Sequence, residues 1–398
     1  MELITYLVYA VEIVLLNRWY YSTSKTLLNP FAFLSLPFTL ILIICLSFNK
    51  VLDFIPFRYE GLWPWIFGLL FFWLPSLIVF KGRKIKATYS CIIPKVKNVN
   101  IITILILLCI AYMMLNLREL SSYDVGSKDL GQELAVGGLK GRVANMLLAV
   151  SPFIVCYPYK GWIKYVLISI AFYMFMAMGS KTWILYALLT SIICLYKERK
   201  IRFNIWWGIF VILLLFCAFA LYYYLNTEIE DVEHFLTFVS RHFYFYLTSG
   251  ILPLGEICKW GYQSNESFIL PFINMFNIWS GYEGAPVHSS IWIISDPLYK
   301  TASNVFTFFG SLMIGESYVS FCVYSLFFGA LSAIIFRSSQ KCNNIFITIL
   351  NGYNLCVLFF GWFNCAYALF RIWEIFLVSL LFYMISIKNL CMFRRYYS

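Results

Sequence analysis

Long runs of hydrophobic residues, separated by short polar segments, make up most of the chain. A bilayer core of about 30 Å is crossed by roughly 17 to 25 helical residues. Trp162–Tyr196 is long enough for two crossings, whereas Val305–Phe336 is expected to follow the membrane interface to about Leu312 before it crosses. Single crossings are predicted at Leu3–Leu16, Leu27–Phe48, Leu62–Phe80, Val99–Leu117, Val143–Tyr157, Phe203–Leu225, Ile345–Phe363 and Ile372–Ile387. The pattern therefore predicts an all-α polytopic integral membrane protein with about eleven (10–12) transmembrane helices.

The composition agrees with this pattern and excludes a water-soluble globular protein. Hydrophobic residues make up 62% of the 398 positions, charged residues make up 12%, and the mean hydropathy is +0.78. A soluble domain is about half apolar and about a quarter charged. The twelve cysteines include no Cys-x-x-Cys pair and no Cys/His cluster at zinc spacing. We therefore expect them to pack as small hydrophobic side chains, with no disulfide framework, metal or cofactor.

The distribution of charge predicts how the chain is oriented in the membrane. With the N-terminus outside and eleven crossings, the inner segments carry 19 of the 30 basic residues and, of the 19 acidic residues, Glu198 alone. Basic residues concentrate in the cytoplasmic loops of membrane proteins, so this orientation places the C-terminus in the cytoplasm. The same rule explains the net charge of +11 without nucleic-acid binding. We expect the membrane to be a bacterial inner membrane, in which residues 1–398 form a single transmembrane domain. In this orientation two loops, at 118–142 and 226–303, lie on the outer, periplasmic side.

The larger loop, 226–303, holds three basic and eight acidic residues, and short interfacial helices are expected within it. It also collects aromatic residues, which can stack on sugar faces but which any membrane interface also collects. An acidic cluster at its start is interpreted as a solvated helix start rather than a metal site. The candidate sugar-stacking residues are Trp260, Tyr262, Trp279, Tyr282 and Trp292.

Eleven basic residues remain outside despite the charge rule, and three of them lie next to the start of a helix. Arg142, Lys181 and Arg371 each lie just before a helix that runs inwards. A cation there opposes the helix dipole unless an anion binds, since free N–H groups and the cation then point at the same ligand. A lipid phosphate or diphosphate is the anion available at that depth. The alternatives are that each residue anchors the helix at the interface, and that Arg371 pairs with Glu374, one helical turn further on.

Arg241 and His242 lie in a stretch rich in Phe and Tyr at the start of the larger loop. Arg241 has the geometry to hold a diphosphate, and His242 has a basicity suited to take a proton from a hydroxyl. The alternative is a surface helix whose polar face includes both residues. His288 and Asp296 are weaker candidates for the base, and Glu316 is placed near the outer end of its span, where it is expected to face a cavity.

Three short motifs make the chain resemble the O-antigen polymerases, which polymerise oligosaccharide repeat units. Leu28-Asn29-Pro30-Phe31 resembles the start of that family's second span, and Gly179-Ser180-Lys181 resembles its Gly-Ser-Arg turn, with Lys in place of Arg. Residues 301–307 followed by Gly315 resemble the segment after the family's large loop. The family has an acidic residue, Phe and Gly in that segment, whereas this chain has Gly315-Glu316-Ser317. Size, span number and the late periplasmic loop extend the architectural resemblance over nearly the whole chain.

The resemblance implies a GT-C-like membrane glycosyltransferase architecture and a transfer reaction at the periplasmic face. A growing glycan would move from undecaprenyl diphosphate to the outermost, non-reducing-end sugar of a new lipid-linked repeat unit, without a metal or cofactor. Expected partners are this lipid-linked oligosaccharide, membrane lipids and a chain-length regulator. The resemblance implies three catalytic residues, Arg241, His242 and Glu316. It implies that the diphosphate is bound by Arg142, Lys181 and Arg371. Sugars would be bound by Asn304 together with the aromatic residues of the larger loop. Lys181 keeps the charge of an arginine but loses its bidentate geometry.

Three other functions fit parts of the same pattern. An O-antigen ligase has this architecture but transfers the finished glycan to lipid A core. A repeat-unit flippase should show two similar halves and modest loops, whereas this chain has one large loop and no visible repeat. An assembly partner without catalytic activity is the third alternative.

Overall fold

The computed structural model describes residues 1–81, 96–120, 139–159, 161–177, 181–198, 200–201, 232–260, 269, 272–273, 291–314 and 317–387. Within them, eight helices are long and apolar enough to cross a membrane, and two shorter apolar helices accompany them. The protein is therefore a helical, membrane-embedded protein, as predicted. The predicted crossing Phe203–Leu225 lies outside the described residues.

The chain divides into two compact units, of which the first comprises residues 1–84, 202–333 and 358–368. It contains a short antiparallel hairpin of two strands, with a bulge between Ile294 and Asp296. One long helix, Tyr318–Lys341, begins in this unit and ends in the second. The elements of the first unit are α1 (Glu2–Ser24), α2 (Pro30–Phe48), a 3-10 turn (Tyr59–Leu62), α3 (Trp63–Val79), α8 (Val232–Thr248), α9 (Ile251–Trp260), β1 (Ile293–Asp296), β2 (Thr301–Ser303), α10 (Phe308–Ile314), α11 (Tyr318–Lys341) and 3-10 turns at Phe360–Trp362 and Ala366–Ala368.

The motif Leu28-Asn29-Pro30-Phe31 is the start of α2. The side chain of Asn29 accepts a hydrogen bond from the Ala32 backbone N–H at 2.9 Å, and Pro30 occupies the first helical position. An asparagine cap followed by proline satisfies one free N–H and removes another. These local effects explain the motif without a contact to a ligand.

The first helix is longer than its hydrophobic run. The sequence predicts a crossing that ends at Leu16, whereas α1 continues to Ser24 and ends at Lys25 in the left-handed conformation (φ 56°). In the last turns, hydroxyl groups donate back to the carbonyls of Trp19 and Tyr20 at 2.7–2.9 Å. Helical hydrogen bonds need no apolar side chain, so polar residues extend the helix beyond the run.

Aromatic side chains and glycines pack the first unit closely. Trp65 of α3 stacks on Phe38 of α2 at 3.6 Å, and its indole N–H donates to the hydroxyl of Thr307 at 2.9 Å. Gly329 of α11 lies directly against the backbone of Phe72, leaving no room for a Cβ atom. Without a hydrophobic force between helices in lipid, such small residues allow the backbones to approach.

The second unit comprises residues 85–201, 334–357 and 369–398. Its helices are α4 (Val99–Leu120), α5 (Leu139–Cys156), α6 (Ile163–Ala177), α7 (Lys181–Lys197), α12 (Ile345–Phe359), whose end belongs to the first unit, and α13 (Phe370–Ile387). The run Trp162–Tyr196 thus forms two helices, one on each side of residues 178–180, as the charges on its flanks predict.

The fifth helix is central to the second unit, since α4, α6, α7 and α13 all contact it. The helix α12 runs antiparallel to it: Phe346 stacks on Phe153 at 5.1 Å, and the hydroxyl of Tyr353 donates to the carbonyl of Leu148. Gly352 packs against Thr190 of α7. These contacts fix the relative positions of α5, α7 and α12.

Candidate functional site

The N-terminal ends of three helices, α5, α7 and α13, meet in the second unit. Arg142 in the first turns of α5 contacts Phe370 and Glu374 of α13. Arg371 of α13 lies over the ring of Trp183, near the start of α7. We call Arg142, Asn145, Trp183, Phe370, Arg371 and Glu374 the helix-end cluster. The predicted topology also places these three helix ends on one side of the membrane.

Arg142 is held by one carboxylate and one ring. Its guanidinium donates to Oε1 of Glu374 and lies over the Phe370 ring, 5.1 Å from the centroid. The side chain of Arg142 remains 35% exposed, whereas that of Glu374 is 14% exposed. The guanidinium can therefore take an additional ligand from solvent while the carboxylate stays largely covered.

Glu374 connects α13 to α5 through two different donors. Its second oxygen, Oε2, accepts a hydrogen bond from Nδ2 of Asn145, which is buried. The sequence offers Arg371 as a partner of Glu374; the carboxylate interacts electrostatically with Arg371 and also forms an ion pair with Arg142. A pairing between helices far apart in sequence leaves no local pattern, whereas Arg371 at i−3 does.

Two further predicted cations, Arg371 and Lys181, lie at the starts of α13 and α7. The guanidinium of Arg371 is 5.2 Å from the centroid of the Trp183 ring, within range of a cation–π contact. Lys181 is the first residue of α7, two positions before Trp183, and its side chain lies outside the described part of the chain. Arg142, Arg371 and the start of α7 are thus brought together.

This arrangement suits an anion. Each helix N-terminus carries roughly half a positive charge, and Arg142 and Arg371 add two charges against the single charge of Glu374. Charge-assisted hydrogen bonds from guanidinium groups to phosphate are among the stronger ones in proteins. Among the described residues, no group of three or more His, Cys, Asp or Glu side chains gathers to hold a metal ion.

Arg241, the predicted catalytic arginine, forms a buried ion pair in the first unit. Its Nη2 and Nε donate to the two oxygens of Asp296 at 2.6 and 3.3 Å, and its Nη1 donates to the carbonyl of Leu52 at 2.6 Å. Arg241 is 7% exposed and Asp296 1%. The pair holds α8 against β1. Its hydrogen bonds occupy the N–H groups with which Arg241 would bind a substrate and the carboxylate with which Asp296 would act as a base.

His242 lies beside this pair, with its ring 4.1 Å from the Phe238 ring and 6.0 Å from the Tyr299 ring. Burial lowers the pKa of His242 below its ordinary value, although Asp296 and a backbone hydrogen bond with Phe238 oppose the shift. The imidazole is therefore mainly neutral at pH 7, the form in which it accepts a proton.

A cavity of about 470 Å³ lies in the first unit between the 55–58 segment, α9 and the start of β1. Five isoleucines and Pro56 form most of its wall. Its polar groups are Arg58 and Glu256, whose Nε and Oε1 are 2.9 Å apart. Trp260 lies at its edge, where its indole N–H donates to Glu256 at 3.3 Å.

Of the residues predicted for sugar binding, the structure describes only Trp260, Trp292 and Asn304, and no contact among these three is seen. Trp260 and Trp292 are exposed, and Asn304 follows the end of β2. Tyr262, Trp279, Tyr282, Glu316 and His288 lie outside the described residues, so their predicted roles remain predictions.

The hydropathy and charge patterns do not predict several polar residues of these sites, among them Asn145, Arg58 and Glu256. Asn145 lies one helical turn after Arg142, at a spacing that places both on one face of α5. That spacing is the one signal that was available. Arg58 and Glu256 are 198 residues apart, and nothing in the sequence connects them.

Comparison with known proteins identifies a family and no characterised relative. No curated protein and no solved structure matches the chain significantly. The model of a family of unknown function, DUF6337, matches residues 53–392. Because the match covers most of the 398 residues, the chain belongs to the DUF6337 family, a family of unknown function.

Proposed function

We propose that the protein is a membrane glycosyltransferase of the bacterial inner membrane that polymerises lipid-linked oligosaccharide repeat units. The donor is a growing glycan on undecaprenyl diphosphate, and the acceptor is the non-reducing-end sugar of a new repeat unit. The periplasmic face is the active face, and the architecture is of the GT-C-like kind. Resemblance to the O-antigen polymerases suggests this reaction, and the helix-end cluster is the observation that carries it.

The cluster supports the proposal because the reaction releases a diphosphate. A hydroxyl oxygen of the acceptor sugar attacks the anomeric carbon, the bond from that carbon to the diphosphate oxygen breaks, and its electron pair leaves with the diphosphate. Cations and helix N-termini fixed in advance stabilise such developing charge. Arg142, Arg371 and Lys181 are assigned this role.

Glu374 gives the cluster a second property. With no ligand bound, its carboxylate neutralises the charge of Arg142. A diphosphate can bind the exposed side of the Arg142 guanidinium, while Arg371 adds attraction. Because Glu374 keeps its contact with Arg142, neither the cation nor the largely buried carboxylate is left unpaired.

The hydroxyl proton of the acceptor sugar needs a base, and His242 is the residue that the sequence predicts for this role. Its lowered pKa keeps the imidazole neutral at pH 7, and a neutral imidazole accepts the proton in a general-base step. The Arg241–Asp296 pair next to it then has a supporting role, because it fixes the helix that carries His242.

A deletion strain complemented with variants tests the proposal. The wild-type gene should restore the ladder of polymerised surface glycan. Arg142→Gln and Arg371→Gln should reduce polymer formation by roughly 10²–10³-fold, the usual effect of removing one group that stabilises developing charge. Lys341→Gln is the matched control, since Lys341 is an exposed cation at the end of α11. Immunoblots of membranes check that all variants are present in equal amounts.

The glycan that accumulates in the deletion strain separates the alternatives. A missing polymerase leaves single repeat units on the lipid carrier at the periplasmic face, a missing ligase leaves long lipid-linked glycan, and a missing flippase leaves single units at the cytoplasmic face. Unchanged glycan length with Arg142→Gln and Arg371→Gln would exclude the assignment of these residues.

A further inference from the structure

The side chain of Asn145 lies beside Arg142 in the helix-end cluster and is only 5% exposed. Asn145 is one helical turn after Arg142 on α5, and both side chains donate to the same carboxylate, that of Glu374. An asparagine amide carries two donors and one acceptor oxygen. Only the donor side has a partner in this cluster.

The acceptor oxygen of Asn145 is buried and accepts no hydrogen bond from the described residues. The amide cannot be turned to relieve this, because Oδ1 would then face the carboxylate oxygen of Glu374 and two acceptors would oppose each other. Glu374 therefore fixes the orientation of the amide, and Oδ1 is left without a donor among the described residues. Buried acceptors without a donor are rare in folded proteins, and each calls for a missing partner.

The partner must carry a donor close to the group that binds Arg142. A diphosphate on a lipid has acceptor oxygens but, once ionised, no donor. A glycosyl diphosphate has hydroxyl or amide N–H groups on the sugar carbons next to the phosphate. Such a ligand satisfies Arg142 with its phosphate and Asn145 with its sugar at the same time.

We propose that Oδ1 of Asn145 accepts a hydrogen bond from the first sugar of the donor, so that the helix-end cluster distinguishes glycosylated lipid diphosphate from bare lipid diphosphate. This inference rests on the proposed function and assigns a specificity-determining residue to the same site. After transfer, the bare diphosphate lacks the donor for Asn145, and its affinity for the cluster falls. Product release is thereby favoured over rebinding.

Binding measurements on the full-length protein in lipid nanodiscs test this inference. The two probes are undecaprenyl diphosphate and undecaprenyl diphosphate that carries one N-acetylglucosamine. The wild type should bind the glycosylated probe about tenfold more tightly, the effect of one well-placed hydrogen bond. Asn145→Leu should abolish this difference and retain affinity for the bare diphosphate, whereas Arg142→Gln should weaken both.

Asn351→Leu is the matched control, because Asn351 is a buried asparagine of α12 whose Oδ1 also accepts no hydrogen bond from the described residues. This variant should keep the tenfold preference. Size-exclusion profiles identical to that of the wild type show that each variant is folded.

The outcomes separate the two proposals. Equal binding of both probes, with binding that depends on Arg142, would support the diphosphate site. The same result would refute the role of Asn145, whose Oδ1 would then accept a hydrogen bond from water. Retention of the preference in Asn145→Leu refutes the role in the same way. If neither probe binds, or if binding is indifferent to Arg142→Gln, the proposed function itself fails.

Discussion

The ion pair between Arg241 and Asp296 has almost no contact with solvent, so replacing one partner should leave the other charge buried and unpaired. Breaking a buried pair in this way costs roughly 3–5 kcal/mol. Arg241→Met also removes the hydrogen bond to the carbonyl of Leu52, so the upper end of that range applies. Asp296→Asn retains an acceptor for the Leu298 N–H, which bonds to Asp296 at 3.0 Å, so the lower end applies there.

The double variant Arg241→Met/Asp296→Asn contains no buried charge at this place. It should therefore be more stable than the sum of the two single effects implies, by roughly 1–3 kcal/mol of coupling. For a unit of this size, each kcal/mol corresponds to roughly 2–4 °C in Tm. The single variants should lower Tm by on the order of 10 °C, and the double variant should recover part of the loss.

Thermal unfolding of the purified protein in detergent, followed by tryptophan fluorescence, measures these shifts. Strictly additive effects, or a shift below about 2 °C for Arg241→Met, would refute the reasoning that the pair is structural. Activity adds a second readout on the same proteins. A double variant that is folded and fails to polymerise glycan would show that the pair also serves the reaction, through Arg241, through Asp296 or through the helix that carries His242.

Two further predictions concern groups outside the proposed site. The two carboxylate oxygens of Glu12, in the membrane helix α1, are buried and accept no hydrogen bond from the described residues. Since burying an unsatisfied polar group is costly, Glu12→Leu should raise Tm by several degrees, and a lower Tm would contradict this. Burial, with a smaller contribution from Glu60, raises the pKa of the Cys258 thiol to about 12. In a variant with Cys258 as its single cysteine, iodoacetamide at pH 8 should react roughly a thousandfold more slowly in the folded protein than in the denatured one, because the thiolate is scarce. Similar rates in the two states would contradict that expectation.

The membrane fold was predictable because the signal is local. A hydrophobic run of sufficient length must cross the bilayer as a helix, since every backbone group has to be satisfied within the segment. The basic flanks of Trp162–Tyr196 likewise predict two helices joined by a turn at Gly179-Ser180-Lys181. The structure has the two helices, and Lys181 is the first residue of the second. The extent of α1 was less predictable, because the serines and threonine after Trp19 continue the helix through their own hydrogen bonds.

Of the candidate site, only the positions of the cations could be predicted from the sequence. Arg142, Lys181 and Arg371 attract attention singly, because each violates the charge rule at a helix start. The partners of these cations give no such signal: Glu374 pairs with an arginine 232 residues away, and Asp296 pairs with one 55 residues away. An ion pair between distant segments depends on how the helices pack, and packing in lipid is governed by side-chain shape rather than by a periodic pattern.

By itself, the sequence determined that the protein lies in a membrane and which segments are helical, because hydropathy and backbone hydrogen bonding act within each segment. It also predicted which cations lie at the starts of helices. Tertiary structure decided which of those helix starts meet, that Glu374 binds Arg142 and Asn145, and that Arg241 is neutralised by Asp296. These pairings result from the packing of segments that are remote along the chain, and no pattern within any one segment encodes them.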